Sequence, residues 1–143
     1  MVGPGGGAVK ALLPLVLAAG CFWHTYPRLM ATHVDLLVAM ARKGTDLVAA
    51  GLFAPESLPE LVYPLERAEA FARIARAKAG PAAPPSLGAF DALLGRYRAF
   101  LEALDRVRRA DRGEAARTAL APALAAVEDA AKRVRSALAT ERR

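Results

Sequence analysis

The sequence predicts an all-α protein, a small antiparallel bundle of about four helices that follows an N-terminal apolar segment. Three observations carry this. Apolar residues recur three and four apart through four stretches of the chain, the period of one helix face. Turn and stop signals stand between those stretches, at Gly51, Gly80-Pro81 and Asp111-Arg112-Gly113. No stretch alternates with period two, as a half-buried strand does. Short connections between amphipathic helices favour antiparallel neighbours.

The first helix is expected from Thr32, a reasonable N-cap, to about Ala50. Val34, Leu37, Val38, Ala41 and Val48 form its inner stripe, widened by Leu36, Met40 and Leu47, and Gly51 stops it. A turn follows through Leu52-Phe53-Ala54-Pro55. Ser57 and Glu60 have capping-box spacing, in which each side chain satisfies a free backbone N–H at the helix start. Pro64 lies too deep for a helix begun at Ser57, so a short turn over residues 57–62 is expected, then a kink or a fresh start at Pro64. The second helix continues to Ala79 with Leu65, Ala68, Phe71, Ile74 and Ala75 inward, and Glu69 spaced to pair with Arg73.

Residues 80–85 read as a stiff linker, after which Ser86 caps the longest regular segment. Its stripe is Leu87, Phe90, Leu94, Tyr97, Leu101 and Leu104, with Leu93, Phe100 and Val107 alongside, wide enough to face more than one neighbour. Acids and arginines four apart (Arg98 and Glu102, Glu102 and Arg106, Asp105 and Arg109) mark its wet side. The last segment is expected to bend at Pro122 and to bury Leu124, Val127, Ala131, Val134 and Leu138. Glu128 with Lys132 and Asp129 with Arg133 suggest its solvated face.

Ahead of the bundle, Ala11 to Ala19 form an apolar run that ends in Leu17-Ala18-Ala19-Gly20-Cys21, and Cys21 is the only cysteine in the chain. Lys10 and the N-terminal amine supply positive charge before the run. Small residues occupy the three positions before the cysteine. This arrangement resembles the precursor of a bacterial lipoprotein. The resemblance implies a signal peptide over residues 1–20 that is cut after Ala18, Ala19 and Gly20. It also implies a Cys21 thiol that takes a diacylglyceryl group, a tether over residues 21–31, and a helical domain over residues 32–143. Phe22 stands where inner-membrane retention is associated with aspartate, so the resemblance further implies an outer-membrane lipoprotein facing the periplasm. Two other readings stay open. Ala11 to Trp23 could be a core helix, at the cost of placing Pro14 and Gly20 inside it. It could also be an uncleaved anchor, although a spanning helix needs about 20 apolar residues and His24 and Arg28 interrupt this run early.

Chemistry-bearing clusters are scarce. The chain has two histidines, His24 and His33, and one thiol, and none of these has the spacing of a zinc site. His33 and Asp35 are two apart and diverge around a helix axis. Ser57, Ser86 and Ser136 have capping or surface roles open to them, and the Gly-rich run at residues 3–7 lacks a Gly-Lys-Ser/Thr ending. We therefore expect no enzyme activity, no metal and no cofactor.

The net charge of +6 suits anionic lipid, an acidic partner or nucleic acid, without selecting among them. Arg106, Arg108, Arg109, Arg112 and Arg117 concentrate near the third turn, interleaved with Asp105, Asp111 and Glu114. They could contact an anionic surface. Lys132, Arg133, Arg135, Arg142 and Arg143 make a second basic face. The favoured function is an interaction or scaffolding module held to the envelope through Cys21, with another envelope protein as partner. The alternatives are a cytosolic nucleic-acid-binding protein, disfavoured by the interleaved acids and the export signal, and a bundle with a ligand pocket lined by Trp23, Tyr26, Tyr63 or Tyr97.

Overall fold

The computed structural model describes the backbone of residues 4–142 and the side chains of residues 20–142. The chain is all-α, with α1 (Pro4–Ala49), α2 (Ser57–Ala79), α3 (Pro85–Ala110) and α4 (Gly113–Glu141), and a 3₁₀ turn over Gly80–Ala82. No strand occurs among the described residues. Two compact units divide it, Met1–Ala31 and Thr32–Arg143, with the boundary inside α1.

The second unit is an up-and-down four-helix bundle. Ion pairs of Asp35 with Arg135, Arg42 with Glu128 and Asp46 with Arg117, each 2.8 Å, run in opposite senses along α1 and α4. Lys43 reaches Glu60 across the α1–α2 seam at 3.3 Å. Arg98 meets Glu69 at 3.0 Å, and Arg76 meets Asp91, across the α2–α3 seam. All of these side chains are substantially exposed, so each pair contributes only about 0–1 kcal/mol. Their use is to fix register.

Stability comes from the interior. Phe90, Leu93, Tyr97, Phe100 and Leu104 of α3 are fully buried, as are Val34 and Leu37 of α1, Ala68 and Ala75 of α2, and Leu120, Val127 and Val134 of α4. Alanine on the inner faces permits close approach. At Gly44 the helices are close, since a Cβ there would stand 3.1 Å from the Leu61 side chain and 3.4 Å from Leu104.

Local chemistry explains the helix ends. Gly51 has φ +71°, and the bonds Leu52 N–H to Leu47 O and Gly51 N–H to Val48 O close α1 in a Schellman motif. At the start of α3, the Glu141 carboxylate accepts from both the Ser86 backbone N–H (2.7 Å) and the Ser86 hydroxyl (2.8 Å). A carboxylate there satisfies an otherwise free N–H and meets the positive end of the helix dipole. Glu141→Ala should therefore lower stability by about 1–2 kcal/mol. A urea midpoint shift, with faster amide exchange in the last turn of α4, is the expected readout; an unchanged midpoint would show the clamp to be idle.

The structure departs from the sequence expectations at several places. Residues 22–29 are helical rather than irregular, and Thr32 lies inside α1 rather than at its start. Pro27 deprives a helix of only one N–H, and the Thr25 hydroxyl donates back to the carbonyls of Cys21 and Phe22, both at 3.1 Å. Pro64 likewise sits inside an unbroken α2, buried. Its turn lacks one N–H, and the Tyr97 hydroxyl donates to the neighbouring Leu61 carbonyl at 2.5 Å. The capping box does not form. Glu56 is the N-cap, the Ser57 hydroxyl oxygen accepts from the Ala54 N–H at 3.1 Å, and Glu60 is taken by Lys43. Ser86 is buried one residue inside α3, which begins at Pro85. Ile74, expected inward, is half exposed. α4 runs on through Pro122 as one helix. Glu69 bonds Arg98 instead of Arg73, and Glu128 bonds Arg42 instead of Lys132, because neighbouring helices offer partners that spacing along one helix cannot reveal.

Candidate functional site: the Cys21 segment and the bundle surface

Cys21 lies on α1 within the first unit, and its thiol is exposed and unbonded. Gly20 before it opens onto free space. The side chains of Ala18 and Ala19 lie outside the described residues. After Cys21, three aromatic rings cluster on the same helix. Phe22 and Trp23 meet edge to face at 5.0 Å, Trp23 and Tyr26 lie 4.9 Å apart, and Phe22 and Tyr26 lie 6.0 Å apart. No helix is long and apolar enough, among the described residues, to cross a membrane.

The five arginines of the predicted patch divide. Arg108 and Arg109 both bond Asp105, at 2.8 and 3.0 Å, and together hold its carboxyl below the usual carboxylate range, with the Arg108 hydrogen bond the larger cause. Arg108 also lies over the Phe53 ring at 5.5 Å. Arg117 is held by Asp46 at 2.8 Å and by Glu114 at 4.0 Å. Arg112 lies beside Gly51, where a Cβ would come within 3.3 Å of its guanidinium. Arg106 is exposed and meets no carboxylate among the described residues. Most of this patch is therefore engaged in holding helices and turns.

His33 and Asp35 diverge. Asp35 turns to Arg135 on α4, while His33 packs between Phe71 at 5.0 Å and Phe90 at 6.3 Å. Burial, and then the nearby Arg67 cation, push the His33 pKa below its ordinary 6.5. The unfolded chain takes up a proton near pH 6.5 and the folded one only at lower pH, so stability is full above 6.5 and is lost as pH falls through the folded value. The urea midpoint should drop on acidification below pH 6.5, and less so in His33→Gln. Parallel slopes in the two proteins would refute the assignment.

Tyr63 and Tyr97, both considered as pocket lining, face opposite ways. Tyr97 is wholly buried, and burial raises its pKa far above the usual tyrosine value. Tyr63 is 59% exposed and stands in an open apolar trough of about 730 Å3 on the outer face of α2, with Leu58, Pro59 and Val62. Spacing did not single out this trough, because Val62 and Tyr63 lie off the core stripe and read as ordinary surface. A second, smaller groove of about 260 Å3 runs between α3 and α4 over Ala89, Ala92, Ala126 and Ala130. Among the described residues no group of His, Cys, Asp and Glu is placed to hold a metal ion. The chain is an all-α four-helix bundle, and no family model, curated protein or solved structure matches it.

Proposed function

We propose that this chain is a bacterial envelope lipoprotein, acylated at Cys21 after loss of residues 1–20, whose bundle serves as a protein-interaction or scaffolding module. The observation that carries the reading is the run Leu17-Ala18-Ala19-Gly20-Cys21 behind an apolar segment. Exposure of the Cys21 thiol supports it, since an acylated sulfur must be reachable. The aromatic rings that follow suit an interfacial position, where tyrosine and tryptophan are enriched. By the sorting pattern, Phe22 assigns the anchor to the outer membrane, facing the periplasm. The partner is then the membrane itself, through the lipid, and another envelope protein, through the bundle. Nucleic-acid binding is the weaker reading, because Arg108, Arg109 and Arg117 are already committed to carboxylates.

The test is the intact mass of the protein from a bacterial membrane fraction, with and without an inhibitor of the lipoprotein signal peptidase. A species that begins at Cys21 with added acyl mass, replaced by a longer precursor under inhibition, is the expected result. An unmodified chain that begins at Met1 would overturn the proposal.

A further inference from the structure

We infer that this bundle rests on anionic phospholipid headgroups through the half at which the chain from Cys21 enters it. The inference rests on the reading of Cys21 as an anchor and adds a second, electrostatic hold on the same membrane.

Charge is unevenly divided along the second unit. Asp35 with Arg135, Arg76 with Asp91, and His33 against Phe71 and Phe90 all stand toward the end that Thr32 opens. Arg42 with Glu128 and Arg98 with Glu69 stand toward the other end. A cut between the two sets separates residues 32–38, 70–96 and 129–142 from residues 39–69 and 97–128, and none of these pairs crosses it. The entry half holds eight lysines and arginines against four acids, whereas the other half holds nine against ten. All of the unit's positive excess thus lies where the chain from Cys21 comes in.

The four acids of the entry half are already engaged. Asp35 and Asp91 hold Arg135 and Arg76, Asp129 lies 4.0 Å from Lys132, and Glu141 accepts from Ser86. Arg73, Arg96, Arg133 and Arg142 are exposed and meet no carboxylate among the described residues. Like charges gathered in this way repel one another and do not stabilise the fold.

Position selects the polyanion. Ten residues separate Cys21 from Thr32, a stretch that spans at most about 40 Å when fully extended. An acyl group on Cys21 therefore keeps the entry half within reach of the headgroups. Each Lys or Arg within about a Debye length of an anionic bilayer is drawn to it. The half with ten acids has no net positive charge to be drawn, so the entry half turns to the membrane and the other faces away. Arg106, Arg108, Arg109, Arg112 and Arg117 belong to that other half, where acids offset them.

The test uses the full chain carrying Cys21→Ser, so that no acyl group contributes, and sedimentation with two kinds of vesicle. One is phosphatidylcholine alone; in the other a third of the lipid is phosphatidylglycerol. The ratio of binding to the two cancels whatever the apolar run over residues 11–19 contributes to both. That ratio should exceed about a hundredfold at low salt and fall steeply as salt is added. Arg96→Gln, Arg133→Gln and Arg142→Gln together should bring it close to one, since each charge near the surface is worth about fivefold. Arg106→Gln, Arg109→Gln and Arg112→Gln remove the same charge from the other half and should change it less than about threefold. All six positions are exposed, and circular dichroism checks that each variant is folded. A ratio near one in the parent chain, equal losses in the two variants, or displacement from the vesicles by duplex DNA at equal phosphate overturns the inference. The intact mass of the chain with Cys21 in place tests the anchor separately. An acylated chain whose Cys21→Ser form ignores anionic vesicles overturns the basic face and keeps the anchor; an unacylated chain with the expected ratios does the reverse.

Discussion

Phe90→Ala is expected to cost about 3–5 kcal/mol, a large share of the roughly 5–15 kcal/mol that holds a domain of this size together. The ring is fully buried on α3, meets Phe71 of α2 edge to face at 6.0 Å, and lies 6.3 Å from His33 of α1. One truncation therefore removes packing at a point where three helices meet. The surrounding structure relaxes only partly into the space left, so a cavity remains and adds to the lost transfer energy. A drop of roughly 10–20 °C in thermal midpoint should follow. Ile74→Ala is the matched control: its side chain is half exposed, so a shift within about 0.5 kcal/mol is expected. Equal losses in the two proteins would mean that the burial described for Phe90 is wrong.

Cys21→Ser should have the opposite profile, a large change in location with almost none in stability. The thiol is exposed, so its loss costs the fold within about 0.5 kcal/mol. On the proposed acylation, each methylene buried in a bilayer would be worth about 0.8 kcal/mol, and removal of the acceptor would forfeit all of them. The variant should leave the membrane fraction, carry no acyl mass, and keep the wild-type urea midpoint. An unchanged fractionation with a lowered midpoint would return Cys21 to the core reading.

Periodicity made the bundle interior legible because burial follows the helical repeat. Spacing places Val34, Leu37, Phe90, Leu104 and Val127 inward, and each is fully buried. Gly51 and Gly80 both take positive φ, as helix stops do. The prolines depart from the sequence expectation. The loss of one N–H does not break α2 at Pro64, where the ring is buried by packing against the rest of the bundle, a gain that no local rule contains. The ion pairs depart from the expectation for a similar reason. Spacing along one helix finds partners such as Glu69 and Arg73, whereas the chain uses Glu69 and Arg98, and only an assembled bundle brings those two together. The clamp of Glu141 on Ser86 joins residues 55 positions apart and has no local signature. Cys21 is singled out by its motif alone, and the fold does not bear on that reading.

The up-and-down order of the helices also has a consequence in time. Three seams of the bundle are hairpins, in which a short turn keeps the two helices close before they pack. The seam of α1 with α4 has no such help, since Asp35 and Arg135 stand 100 positions apart along the chain. Its loop-closure cost is the greatest of the four, while its ion pairs are exposed and return little. Hairpins should therefore form in the microsecond-to-millisecond range typical of helical bundles. The α1–α4 seam should zip last and fray first, making it the natural door into the interior.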